Sequence, residues 1–294
     1  MSNIVFYVRA LFHESIMPGS NVSNKPDVKK LIDIFKLFSK ISAEDYRKEV
    51  HKIQIKNISN ISERIIYNNA EEHKDRKYNY TFCILQNHTI EKLKQLNDDD
   101  WVIPIDDDDW FSPEIKNLPL EVGSLNCWNT ISFCHKKLDQ IRIFPHFKNK
   151  EIPYRLLQTE EEFKDARGLL SNCQCLPAYI IKELIKLNRH DILQPFLQRH
   201  STVRKLIREE PLDKLNIKEK LFDDVLSVYV RHAANITLFE KVSKFGEEDN
   251  FKNSYEEIIK PYKFASYDNI INLPENLQWT IPYLNDLKEL NQLL

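Results

Sequence analysis

Asp98-Asp99-Asp100-Trp101-Val102-Ile103-Pro104-Ile105-Asp106-Asp107-Asp108-Asp109-Trp110-Phe111-Ser112-Pro113 is the stretch on which the reading of this chain turns. Its centre, Trp101 to Ile105, is a short apolar run, which predicts a buried strand ending in a turn. Asp98 to Asp100 reads as a solvated cluster ahead of that strand, the ordinary fate of a charge run. Asp106 to Asp109 is a different case, because a buried strand carries it to the ligand edge of a sheet and an ordered Trp-Phe-Ser-Pro follows. Neighbouring carboxylates repel and raise one another's pKa. A divalent cation removes that cost. In an extended segment alternate residues share a side, so Asp106 and Asp108 are expected to project together while Asp107 faces away. Two oxygens on one side suit Mg2+ or Mn2+, which take their remaining ligands from water and a substrate diphosphate.

Outward from this stretch, Ile4 to Val8 reads as a buried first strand, Asp27 to Ser39 as a helix, and His51 to Ile58 as an alternating strand. Tyr80 to Leu85 reads as another strand and Thr89 to Leu96 as a short helix. Strands alternating with helices predict a doubly wound α/β unit. Beyond Thr159 the texture changes: Glu160 to Arg167, Ala178 to Leu187, Ile192 to Arg208, Lys218 to Arg231 and Tyr283 to Leu294 all read as amphipathic helices. The expected organisation is one catalytic-type core over residues 1–243, with halves of about 1–155 and 156–243. The polar segment Lys244 to Asn253 would mark the boundary to a helical extension over 244–294.

Composition removes several classes. The 294 residues are 42% hydrophobic and 29% charged, enough apolar mass for a sizeable core. Forty-two basic against forty-four acidic side chains, a net charge of −2, argue against a general electrostatic grip on nucleic acid. The longest apolar runs are too short to cross a bilayer, and Met1 to Val8 has no basic n-region or cleavage site. A cytoplasmic protein is expected, with Lys/Arg-rich helices that leave open a peripheral place at the inner face of a membrane. The five cysteines are odd in number and lack CxxC spacing, so no disulfide framework or cysteine zinc site is indicated. Only four glycines are present, never two close together, which excludes GxGxxG, P-loop and GxSxG motifs.

Trp101 to Ile105 followed by Asp106-Asp107-Asp108-Asp109 and Pro113 resembles the Asp-x-Asp-Asp core of GT-A-fold glycosyltransferases, in a rhamnosyltransferase-like, family-2-like flavour. The likeness covers about residues 80 to 115. It implies a GT-A-like mixed sheet flanked by helices, with a mostly helical C-terminal portion. It also implies a metal-dependent hexosyl- or deoxyhexosyltransferase that moves a sugar from a nucleoside-diphosphate donor to a glycan, lipid-linked saccharide or other hydroxyl acceptor, with inversion. The chain departs from the family in its opening turn, Arg9-Ala10-Leu11-Phe12, and in lacking the usual Glu-Asp base motif.

The resemblance implies Asp106 and Asp108 on Mn2+ or Mg2+ with His232 completing the site, and Arg9, Asp106, Asp107 and Trp110 facing the donor. Arg9 reads equally well as a strand-end charge, and His232 as a helix C-cap. A base is needed to take the acceptor's proton. His200 falls where the family's base would be, with Asp191 in reserve; capping or surface roles are the bland reading of both. His13, His51, His73, His88, His135 and His146 show no ligand spacing and take no role. Two rival functions use the same carboxylates: a Mg2+-dependent phosphotransferase or phosphohydrolase, and a non-enzymatic scaffold holding Ca2+.

Overall fold

A computed structural model describes residues 3–10, 35–69, 85, 87–133, 141–144, 173–198, 217–230, 232–234 and 275–294. Eight strands among them form one mixed sheet: β1 (Asn3–Ala10), β2 (Ile65–Asn69), β3 (Asp100–Asp106), β4 (Trp110–Phe111), β5 (Ser124–Phe133), β6 (Ile141–Phe144), β7 (Gln174–Pro177) and β8 (Lys218–Val230). Their order is β2-β1-β3-β7-β5-β8-β4, with β6 beside β5. Strands β2, β1 and β3 run parallel, β7 runs against both β3 and β5, and β8 lies parallel to β5. The α/β class with a mixed, helix-flanked sheet is thus as expected.

Among the described residues, helices α1 (Ala43–Ser59), α2 (Asn87–Lys94), α3 (Ala178–Lys186), α4 (His190–Gln198) and α5 (Ile281–Asn291) accompany the sheet. Strand β1 is apolar on both sides because both are covered. Ile4, Phe6 and Val8 face the layer that holds Ile58 of α1; Val5 and Tyr7 face the layer holding Leu93, Ile180, Leu184 and Phe196 of α2, α3 and α4. Each such burial contributes about 1.5–3 kcal/mol, and a two-faced apolar run is the mark of a buried parallel strand. Pro104 lacks an N–H, and it lies beyond Val102, the last β3 residue in register with β7.

Two expectations fail here. His51 to Ile58 is not a strand but the second half of α1. The buried positions of α1, namely Ala43, Tyr46, Arg47, Val50, Ile53, Gln54, Asn57 and Ile58, follow helical spacing, but three of them are polar. An apolar-only pattern is therefore broken. Lys218 to Arg231 is not a helix: Lys218–Val230 is the long strand β8, interior to the sheet, with Leu226 to Val230 buried without a break. A strand buried on both faces has no period of two to show. All but Leu85 of the Tyr80 to Leu85 strand, most of the Asp27 to Ser39 helix, Glu160 to Arg167, the later part of Ile192 to Arg208 and the Lys244 to Asn253 boundary lie outside the described residues. Helix α5 confirms the helical tail and packs on α1, through Tyr46 Oη donating to Asn291 Oδ1 at 2.5 Å and Lys56 meeting Asp286 at 2.6 Å.

Candidate metal centre

The chain leaves β1 for β2 on one side and reaches β3 on the other, so the sheet's switch point lies between β1 and β3. Open α/β sheets bind ligands beyond the carboxyl ends of their strands at that crevice. At this end Arg9 and Asp106 stand in register, with Arg9 Nη2 2.6 Å from Asp106 Oδ1. The chain then turns through Asp107 and Asp108 and re-enters the sheet at Trp110, which pairs with Val228.

Four consecutive acids fold tightly here because α1 supplies donors to the turn's backbone. Gln54 Nε2 donates to the carbonyls of Asp106 and, at 3.0 Å, Asp109. Asn57 donates to Phe111 O at 2.9 Å and accepts from Phe111 N at 2.7 Å. His51 Nδ1 lies 3.1 Å from Asp107 O and 3.0 Å from Gln54 Oε1, two acceptors, so it carries the proton. Arg47 Nη2 binds Asp107 Oδ1 at 2.7 Å, and Nη1 donates to Ala234 O at 3.0 Å. Arg47, His51, Gln54 and Asn57 form one stripe at helical spacing. Sequence reading passed over this stripe. Its only signal is a row of hydrogen-bonding side chains at helix period, which argues for a face packed on backbone.

The carboxylates divide as the turn dictates. Asp107 points to Arg47, away from the others, as expected. Oxygens of Asp106, Asp108 and Asp109 lie within 4.8 Å of one another, a group able to hold a metal ion. Asp109 is the unforeseen member: a turn, unlike an extended segment, brings the fourth residue back beside the first. Its Oδ2 accepts from Asp106 N at 3.2 Å, while its Oδ1 is buried with no hydrogen-bond partner. Burial, then the charges of Asp108 and Asp106, hold its pKa well above the usual carboxylate range. Two charges this close repel by about 3 kcal/mol at an effective dielectric of about 20. Two of the four carboxylates meet guanidiniums, Asp106 that of Arg9 and Asp107 that of Arg47. Burial pulls the Arg47 pKa down, and Asp107, Asp108 and Asp106 more than offset it. Burial and the nearby Asp107 charge push Tyr67, in the middle of β2, up to about 12.

The other predicted residues take different places. His232 is buried with Nε2 3.0 Å from Asp108 Oδ2. Its Nδ1 accepts from Ala234 N at 3.2 Å, so the proton lies on Nε2 and is donated to Asp108. His232 thus lies against the turn, with its Nε2–H turned to Asp108. Arg9, expected to face the donor, has its side chain 5% exposed and paired with Asp106. Trp110, also expected at the donor, is fully buried against Tyr283 of α5 with ring centroids 5.7 Å apart. Asp107, held by Arg47, likewise faces inward. Asp191 is exposed and held by Arg189 at 2.9 and 2.8 Å, a contact that lowers its pKa and weakens it as a base. His200 lies outside the described residues. His51, given no role, touches the turn directly.

Comparison of the chain with protein-family models, curated proteins and solved structures gives no match. No helix among the described residues is long and apolar enough to cross a membrane.

Proposed function

We propose that this protein is a metal-dependent, GT-A-like glycosyltransferase that moves a sugar from a nucleoside-diphosphate donor to a glycan, lipid-linked saccharide or other hydroxyl acceptor, with inversion. One observation carries the reading: three carboxylate side chains converge at the carboxyl end of β3, beside the sheet's switch point, with Asp109 Oδ1 buried and unbonded. An all-carboxylate set of hard oxygens suits Mg2+ or Mn2+ rather than a softer metal. Asp106, Asp108 and Asp109 would hold the ion, which when bound neutralises charge on a departing diphosphate.

The chain's own groups then have distinct tasks. Asp106, 28% exposed, is the ligand that meets the crevice. His232 fixes the Asp108 carboxylate by donating from Nε2, and Arg47 draws the Asp107 charge out of the group. Gln54 and Asn57 keep the turn closed. His200 stands as the proton acceptor for the acceptor hydroxyl, with Asp191 second because Arg189 occupies it. Cytoplasmic placement belongs to the same proposal. Isothermal titration with UDP-, GDP- and dTDP-sugars, with and without Mn2+, tests it. Binding of one donor only with Mn2+ supports sugar transfer. Hydrolysis of simple phosphate esters would replace it with the phosphohydrolase reading, and absence of nucleotide affinity would remove it.

A further inference from the structure

The cation group is braced from a part of the chain far from it in sequence. Tyr46 of α1 is fully buried and has its ring 5.7 Å from the His232 imidazole, centroid to centroid. Its hydroxyl donates to Asn291 Oδ1 of α5 at 2.5 Å, and Asn291 is itself buried. His232 in turn donates to Asp108 Oδ2. The next residue of α1, Arg47, reaches the same 232–234 segment through Ala234 O. The C-terminal helix is anchored beside this chain by Lys40 N donating to Leu293 O at 2.6 Å and by Asn60 Nδ2 donating to Tyr283 Oη at 3.2 Å.

The geometry points to Tyr46 and Asn291 as positioning residues that hold His232, and through it Asp108, from the C-terminal helix. The inference deepens the proposed reading and rests on it, in that Asp108 is taken as a cation ligand. The hydrogen bonds at its two ring nitrogens set the tautomer of His232, and packing on the faces of the ring limits how far it can tilt. Tyr46 supplies such packing, and Asn291 fixes Tyr46. Partners behind a metal ligand commonly set affinity by 10-fold or more. The C-terminal helix is thus part of the site, not an appendage to it.

The test uses the full-length chain with two readouts: the imidazole nitrogen resonances of His232 without added metal, and Mn2+ affinity by electron paramagnetic resonance. Tyr46→Leu removes the ring and is expected to shift the His232 resonances and weaken Mn2+ binding about 10-fold. Tyr46→Phe keeps the ring and recovers most of both, leaving a loss of about 3-fold. Asn291→Ala adds nothing on top of Tyr46→Phe, because the two share one contact. Leu287→Ala, a buried apolar truncation on the same helix, lowers the melting temperature but leaves both readouts at parent values. Unchanged resonances and Mn2+ affinity in both Tyr46 variants would overturn the inference, as would equal shifts in Leu287→Ala. If Tyr46→Leu does not fold, Tyr46→Phe decides alone. A parent chain that binds no Mn2+ sinks the sugar-transfer reading, while the His232 resonances still decide this one.

Discussion

Strand β3 carries acidic residues at both ends, and the two ends behave differently. At the amino end the charges disperse. Asp98 is exposed and meets Lys182 at 2.7 Å, Asp99 is exposed, and Asp100 is buried against Arg64 while accepting from Asn97 N at 2.7 Å. At the carboxyl end three carboxylates converge, and one has a buried oxygen with no donor. The lesson is that an acidic run means little by itself. What sets the carboxyl end apart is a buried carboxylate oxygen, Asp109 Oδ1, that no donor reaches. Asp100 also corrects the expectation of a fully solvated cluster, since it is buried as a cap and ion-pair partner.

Several measurements would break or sharpen this contrast. The largest effect is expected at the carboxyl end. Asp108→Asn should weaken Mn2+-dependent donor binding by at least about 100-fold, with an unchanged circular dichroism spectrum. Titration calorimetry that returned parent affinity would show the two ends to be equivalent after all. Gln54→Ala comes next, because it strips donors from the Asp106 and Asp109 carbonyls. Denaturant titration should show a loss of about 2–3 kcal/mol, together with Mn2+ binding weakened about 10-fold.

Acidity supplies a third contrast. The raised Asp109 pKa means that the folded, cation-free protein holds a proton that the unfolded chain has already released. Stability from that proton is present at low pH and is lost as pH rises through the folded pKa. Mn2+ competes for the same oxygens, so its affinity should climb with pH over that window. A flat affinity between pH 5 and pH 8, read by calorimetry, would contradict the assignment of Asp109. The smallest effects belong to the amino end. Asp100→Asn should cost about 1–2 kcal/mol and Asp98→Asn less than about 0.5 kcal/mol, both with Mn2+ affinity at the parent value.

The parts of this architecture that the sequence discloses are those where burial follows residue type. Ile4 to Val8 and Trp101 to Ile105 are apolar throughout because helices cover both faces, and α3 shows a clean apolar stripe. The site's core, Asp106 with Asp108, is legible for the same reason, being the end of such a strand. Its supports are less so. Helix α1 buries Arg47, Gln54 and Asn57 to serve a turn that lies far ahead in the chain, and apolar periodicity cannot register that face. Asp109 joins the group only because the backbone turns, which alternation along a straight segment does not foresee. For His232 only the Ala234 N–H settles which ring nitrogen holds the proton, and no pattern in the sequence carries that contact.

The central claim, that the aspartate turn exists to hold a divalent cation, is tested most directly by titrating Mn2+ into the parent chain and into Asp109→Asn under electron paramagnetic resonance. The account predicts one bound Mn2+ per parent chain and none in the variant, whose circular dichroism spectrum should match that of the parent. A parent that takes up no Mn2+, or a variant that binds it as tightly as the parent, would contradict the account.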